Sequence, residues 1–249
     1  MLLRKPTRIE LKPEDKEYET VKKAQAEEQA RQQAEAGQQA KFEQPQQGPK
    51  QSVEIKLRLP NKEAHDKVAE ALKDSYIETH DQENFFYEGS EKELNKAKVS
   101  LRTRFYGVDK KCVITMKGRQ SMVGGVGTAT EVEEDCNPAE ARKWLKDPDA
   151  LLNLRGSNIL EKLRTELKPK HLVCLGGFKN VRQDYNYEGL KMELDETSYE
   201  WGTCYEIEIE TEDPEPTKAK LEKFLESKGI PYKYGTKTKF ANFRQQTLE

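Results

Sequence analysis

Seven stretches of the chain alternate with a period of two, and each places charge on one of its two faces. A β-strand turns successive side chains to opposite sides, so this period predicts strands. In SVEIKLRLP, residues 52–60, Val53, Ile55, Leu57 and Leu59 share one face, and Ser52, Glu54, Lys56 and Arg58 share the other. Residues 98–107 set Arg102 and Arg104 side by side, and residues 111–119 do the same with Thr115, Lys117 and Arg119. Residues 130–136 align Glu131, Glu133 and Asp135, and residues 178–189 offer Arg182. Residues 190–197 align Lys191, Glu193 and Asp195 opposite Leu190, Met192 and Leu194. Residues 204–212 align Glu206, Glu208 and Glu210 opposite Tyr205, Ile207 and Ile209.

The charges are sorted: some strands show bases and others acids. An ordinary solvated sheet face is the alternative reading, but it has no need of like charges two residues apart, because they repel. Strands that are apolar outside and charged inside can close into a barrel with a polar lumen. Acid clusters in such a lumen suit a hard divalent cation and basic clusters suit a polyanion, so together they point to a metal–polyphosphate complex. Helical spacing over 61–75, with Ala64, Val68, Ala71 and Leu72 on one face, and further helical segments around 138–165 and 214–228 supply covers for the outside. Tyr185-Asn-Tyr-Glu-Gly189 reads as a hairpin turn. Lumen carboxylates are expected to add little to packing, so removing Glu193 and Asp195 together should spare the fold.

Composition fits a chain of two unequal parts. Charged residues are 35% and hydrophobic residues 34%, lean for 249 residues, as expected if part of the chain is unpacked and an enclosed surface is polar. A net charge of −2 argues against general affinity for nucleic acid or anionic membranes. No apolar run approaches the roughly 20 residues of a membrane span. Cys112, Cys136, Cys174 and Cys204 lack short metal spacing, which predicts reduced thiols in a cytoplasmic or nuclear protein. His65, His80 and His171 are scattered, which argues against histidine catalysis and a His-rich zinc site.

Residues 24–51 are mostly Ala, Gln, Glu and Lys, with high helix propensity as far as Gly37, no apolar stripe, and a Gln-Pro-Gln-Gln-Gly-Pro linker. Residues 1–23 differ, because Pro6 and Pro13 favour an extended segment and then a helix start next to Glu14 and Asp15. MLLRKPTRIELK resembles the N-terminus of the cell division cycle protein 26 family, the smallest subunit of the anaphase-promoting complex. The resemblance implies an extended peptide captured in the groove of a TPR subunit. Met1, Leu2, Leu3, Ile9 and Leu11 would anchor it, Arg4 would orient it, and Pro6 would keep it extended.

The remaining segment, residues 52–249, resembles the CYTH superfamily of triphosphate tunnel metalloenzymes, in particular the plant-type tripolyphosphatase branch. The likeness is strongest in HLVCLGGFKNVRQDYNYEGLKMELDETSYEWGTCYEIEIETEDPE and in TKFANFR. It implies an α+β fold, an antiparallel eight-stranded tunnel with surface helices. It also implies Mg²⁺ or Mn²⁺ as cofactor and inorganic triphosphate as substrate. By the same resemblance, Lys56, Arg58, Arg102, Arg104, Lys117, Arg182 and Lys239 bind phosphate. Glu54, Glu133, Asp135, Glu193, Asp195, Glu206 and Glu208 bind metal, and Lys56, Arg102, Arg104 and Glu193 carry catalysis. Two positions depart from the family pattern: Ser52 stands where a first glutamate is expected, and Glu131 where an arginine is expected. These departures predict weaker metal and polyanion binding. A polyphosphate-binding subunit without turnover therefore stays open as an alternative, as does hydrolysis of an organic triphosphate such as thiamine triphosphate, although no aromatic-rich tunnel mouth is assigned.

Overall fold

The computed structural model describes residues 50–249, with side chains from Val53 onward; the readings for residues 1–49 lie outside the described residues. Eight long strands form one antiparallel sheet: β1 (Lys50–Leu59), β2 (Tyr76–Gly89), β3 (Ser100–Tyr106), β4 (Lys111–Lys117), β6 (Val126–Cys136), β7 (Leu172–Tyr187), β8 (Leu190–Tyr199) and β9 (Gly202–Glu210). Two short strands, β5 (Ser121–Val123) and β10 (Lys233–Tyr234), flank β6 and β1. The order β1-β9-β8-β7-β2-β3-β4-β6 closes on itself. The first half of β1 pairs with β6, from Lys50↔Glu131 to Ile55↔Val126, and its second half pairs with β9, from Glu54↔Glu210 to Leu59↔Tyr205. Closure removes the sheet edges that would otherwise invite pairing with another chain.

The apolar core lies outside this barrel. Ile55, Leu57, Met192, Leu194, Ile207 and Ile209 face outward and are fully buried under helices α1 (Lys62–Ala71) and α6 (Pro214–Ser227), which contribute Val68, Leu221 and Leu225. A second cluster packs Leu101, Phe105 and Ile114 beneath α3 (Pro138–Trp144), α4 (Ala150–Asn153) and α5 (Asn158–Lys162), with α2 (Glu93–Ala97) contributing Leu94. Each buried aliphatic side chain contributes roughly 1.5–3 kcal/mol. The outward faces therefore hold the barrel together and leave its lumen free to be polar. No helix among the described residues is long and apolar enough to cross a membrane.

Helix starts follow local capping chemistry. Asn61, Asn137, Ser157 and Thr238 each accept the backbone N–H three residues on, satisfying one of the donors a helix start leaves open. The Thr238 cap starts α7 (Lys239–Gln245). The helical segment expected over 138–165 is instead three short helices followed by a π-turn, Leu163–Leu167. Pro148 disfavours helical geometry at the residue before it, and Gly156 sits at φ +86°, so one continuous helix cannot form.

Three strand assignments change. β2 was not delimited by periodicity, since YIETHDQENFFYEG carries polar residues at consecutive positions around Asp81-Gln82-Glu83-Asn84. Its strand state is imposed by its neighbours β3 and β7. β7 starts at Leu172, well before the expected 178, and Arg119 falls beyond the end of β4 on an exposed segment. The hairpin between β7 and β8 turns through Glu188 and Gly189, both at positive φ, where the Asn186 side chain accepts the Gly189 N–H.

Gly177 lies on β7 opposite Phe85 of the neighbouring strand β2. A Cβ there would lie 1.6 Å from the Asn84 carbonyl oxygen, whereas at Gly189 it would meet nothing within 4 Å. Gly177→Ala is expected to lose at least about 3 kcal/mol of stability in denaturant titrations. Gly189→Ala should lose only the ~1–2 kcal/mol of left-handed backbone strain.

Candidate active site

Strand register gathers the lumen charges into blocks. Across β8 and β9, Glu193 stands opposite Glu208 and Asp195 opposite Glu206, a square of four carboxylates. Left alone these would repel. Lys56 on β1 stands opposite Glu208 and ion-pairs with it, and Arg58 stands opposite Glu206 at 3.1 Å. Arg182 on β7 donates Nε and Nη2 to Asp195 at 2.8 and 2.6 Å and Nη2 to Glu208 at 2.8 Å, and it pairs with Glu193 through Nη1. Lys239, the first residue of α7, places its ammonium 2.8, 2.7 and 2.6 Å from Asp195, Glu206 and Glu208.

Electrostatics follows from this packing. Burial favours the neutral acids, but Arg182 and Lys239 outweigh it at Asp195, and Lys239, Lys56 and Arg182 do so at Glu208. Both carboxyls are held well below the usual carboxylate range. Burial likewise opposes charge on Lys56 and Lys239, yet the facing carboxylates hold both ammonium groups above the usual lysine range.

The opposite wall is basic. Arg102 and Arg104 project from β3 and Lys117 from β4. Arg102 donates to Thr115 at 3.1 Å and reaches Glu133 at 3.4 Å, and Lys117 pairs with Glu131 at 2.9 Å. Burial, and then the neighbouring Arg104, pull Arg102 down to about 10 against the attraction of Glu131 and Glu133. Arg104 donates to the Asn84 amide oxygen at 2.8 Å and to the Tyr106 hydroxyl at 3.4 Å. Among the described residues it makes no ion pair. This wall holds surplus positive charge.

Between the walls lies a cavity of about 340 Å³. Of the sequence-predicted residues, Lys56, Arg102, Arg104, Lys117, Arg182, Lys239, Glu54, Glu133, Glu193 and Glu208 line it. Four others do not. Arg58 and Glu206 form a buried pair behind the lining, with Arg58 also donating to the Glu249 backbone carbonyl. Asp195 is fully buried beneath Arg182 and Lys239. Asp135 is engaged outside by Lys111 at 2.9 Å. The expectation that Asp195 is a dispensable lumen group is therefore corrected: its removal would strip partners from two buried cations.

The cavity is also lined by Lys191, Glu131 and Glu210, which the charge pattern aligned without a binding role, and by His80, Gln82 and Asn84 of β2, which no pattern singled out. Lys191, Glu131 and Glu210 were legible from that alignment, whereas the β2 residues carried no periodic signal. Phe86, Phe178 and Phe240 also border the cavity. Phe86 and Phe178 are only 3% and 7% exposed, packed among Phe243 and Tyr199, and so present little ring face to a ligand.

The CYTH domain family matches residues 50–243, nearly the whole described barrel. The chain belongs to the CYTH family. Residues 1–80 match the family described as anaphase-promoting complex APC subunit CDC26, overlapping the start of the CYTH domain. Among solved structures, the CYTH domain is similar to a Hippeastrum protein, HpAC1, described as a candidate adenylyl cyclase with a dominant triphosphatase activity. The identity is 41%, the TM-score 0.76, and the match covers 80% of this chain and 97% of that one. A candidate adenylate cyclase from Bacillus halodurans shares the fold at 23% identity and TM-score 0.59, covering 78% of this chain and 98% of that one. There is no match among curated protein sequences.

The donor set of this CYTH lumen fits a hard divalent cation, because its acidic wall offers oxygen ligands alone. Glu206 adds no ligand to the cavity, because it is fully buried behind the lining with Arg58 at 3.1 Å and Lys239 at 2.7 Å.

The depressed Asp195 and Glu208 carboxyls stabilise the fold fully above the unfolded carboxylate pKa of about 4. That contribution is lost as pH falls below it toward the folded values. Lys239→Ala should cost about 3–5 kcal/mol, since it leaves buried carboxylates short of a partner. Removing the ammonium also raises both carboxyl pKa values, so acid unfolding followed by circular dichroism should begin at higher pH than in the parent.

Proposed function

We propose that the chain is a metal-dependent triphosphatase that hydrolyses inorganic triphosphate to pyrophosphate and phosphate within the barrel lumen. One observation carries this reading: an acid wall already neutralised by Lys56, Arg182 and Lys239 faces a basic wall on which Arg104 has no carboxylate partner among the described residues. Such a lumen suits a ligand that brings both charges. A metal–triphosphate complex lets acids exchange ammonium for metal while bases exchange carboxylate for phosphate. The Hippeastrum relative's triphosphatase activity, at 41% identity, supports the same reading.

In this mechanism Arg104 makes the first contact with the polyanion. Arg102 and Lys117 follow, their charge favoured by the incoming phosphates, and guanidinium forks suit paired phosphoryl oxygens. Lys56, Arg182 and Lys239 release part of their carboxylate contacts and neutralise charge that develops on the transferred group. Glu54, Glu193 and Glu208 are the cavity carboxylates that would hold Mg²⁺ or Mn²⁺, which when bound supplies Lewis-acid neutralisation of phosphate charge. Positioning by fixed charges does most of the work, because the lumen holds them before substrate arrives. A second reading, polyphosphate binding without turnover, draws on the 2.9 Å pair between Lys117 and Glu131, which neutralises one base of the basic wall.

We further propose that residues 1–23 tether this domain to a TPR subunit of the anaphase-promoting complex, which places the protein in nucleus and cytoplasm. The match of residues 1–80 to the complex's small subunit supports the tether.

Two measurements test these readings. Phosphate release from tripolyphosphate should require Mg²⁺ or Mn²⁺ and should fall at least about 100-fold in Glu193→Gln, whose isosteric amide keeps the lumen packed but lacks the negative charge that holds the metal. Tight tripolyphosphate binding with no release in the parent chain would instead support the non-catalytic reading. Deleting residues 1–23 should abolish copurification with TPR subunits and leave phosphate release unchanged, because the CYTH match begins only at residue 50; retained copurification would remove the tether.

A further inference from the structure

At one rim of the lumen, three ligand-type side chains converge that the triphosphatase reading does not use. Glu78 and His80 lie two residues apart on the lumen side of β2, and a register shift between Tyr76 and Glu78 brings Glu78 opposite Asp184 of β7. His80 Nε2 is 3.3 Å from Asp184 Oδ2 and 3.5 Å from Glu78 Oε1. One ligand atom from each residue lies within 4.8 Å of the other two. Neither carboxylate meets the imidazole in hydrogen-bond geometry, so the three groups converge without satisfying one another.

Asp184 supplies a second, independent observation. It is 2% exposed, and its Oδ1 has no hydrogen-bond partner among the described residues. A buried carboxylate oxygen without a donor is costly. Its other oxygen is reached at 2.9 Å by Lys191, whose ammonium is also 2.9 Å from Glu193. The Lys191 side chain is 55% exposed, so it can swing into solvent. A cation is thus already held at this position by a side chain free to leave.

We propose that Glu78, His80 and Asp184 form a binding site for a first-row transition ion, Mn²⁺ or Zn²⁺, at the rim of the lumen. Ligands bound at about 2.1 Å around one ion stand about 3.0–3.5 Å apart in octahedral or tetrahedral geometry. The 3.3 and 3.5 Å separations fall in that range. An imidazole with two carboxylates favours such ions over Mg²⁺, which prefers oxygen alone. His80 also lines the cavity, so the ion is reachable from the lumen. The site is distinct in chemistry from the oxygen-only acid wall, and its occupancy does not depend on turnover.

The test uses the full chain, freed of metal and titrated with Mn²⁺ in excess Mg²⁺, which occupies the oxygen-only sites. Electron spin-echo modulation from an imidazole ¹⁴N reports nitrogen ligation, and the chain contains only three histidines. The modulation should appear in the parent and in His171→Ala and vanish in His80→Ala, with Mn²⁺ affinity at this site falling by more than the ~10–100-fold typical of losing an outer-sphere partner. Lys191→Ala, an exposed substitution that leaves all three ligands in place, should tighten Mn²⁺ at the nitrogen-bearing site several-fold, because the competing ammonium is gone. No ¹⁴N modulation in the parent, modulation that survives in His80→Ala, or weaker Mn²⁺ binding in Lys191→Ala would each overturn the proposal.

Discussion

The pairing of Lys239 with three carboxylates of β8 and β9 is the interaction on which the lumen depends. Asp195, Glu206 and Glu208 are buried side by side and would repel one another, because burial limits screening by water. The ammonium lies within 2.8 Å of all three, and it comes from α7, at the far end of the chain. Arg182 and Lys56 complete the neutralisation from β7 and β1. Each cation is thus supplied by a different element, so the acid wall is stable only when the barrel has closed and α7 has docked. Buried ion pairs of this kind contribute little net stability over an apolar core. Under the proposed function they hold charge in place until a ligand carrying both signs replaces their partners.

That arrangement explains why a chain with so little hydrophobic residue folds. Each lumen strand spends only its outward face on the core, and helices from both sides of the barrel bury those faces. The inward faces are relieved of packing and carry charge instead. The same division separates two kinds of sensitivity. Changes on the outward face act through cavities and strain, whereas changes on the inward face act through unpaired charge. Asp195 belongs to both kinds, because it lies in the lumen layer and yet is fully buried under its partners.

The two walls are not equivalent. The acid wall is saturated by cations, while the basic wall carries Arg104 beside Arg102 with Asn84 and Tyr106 as neutral partners. A polyanion therefore gains most by entering against β3, and a cation gains most against β8 and β9. The two departures from the family pattern fall near the β1–β6 seam: Ser52 pairs with Ala129, and Glu131 pairs with Lys50. Glu131 also engages Lys117, so its acidic charge is compensated within the basic wall rather than added to the opposite one.

Periodicity alone determined much of this protein. Alternation with a period of two is a property of single strands, so it revealed which residues of β1, β3, β4, β6, β8 and β9 face inward before any contact was known. Capping and turn residues are equally local, and the β7–β8 hairpin was legible for that reason. Depth was not. Arg58, Asp195 and Glu206 share a face with Lys56, Glu193 and Glu208, yet they lie behind the lining, covered by Arg182, by Lys239 of α7 and by the Glu249 carbonyl. β2 was also invisible, since Gln82, Asn84 and His80 carry no alternating signal and become lumen residues only by pairing with β3 and β7. The convergence of Glu78 and His80 with Asp184, about a hundred residues away in the chain, belongs to the same class. Contacts between strands distant in sequence depend on register and closure, which tertiary packing decides and local pattern does not encode.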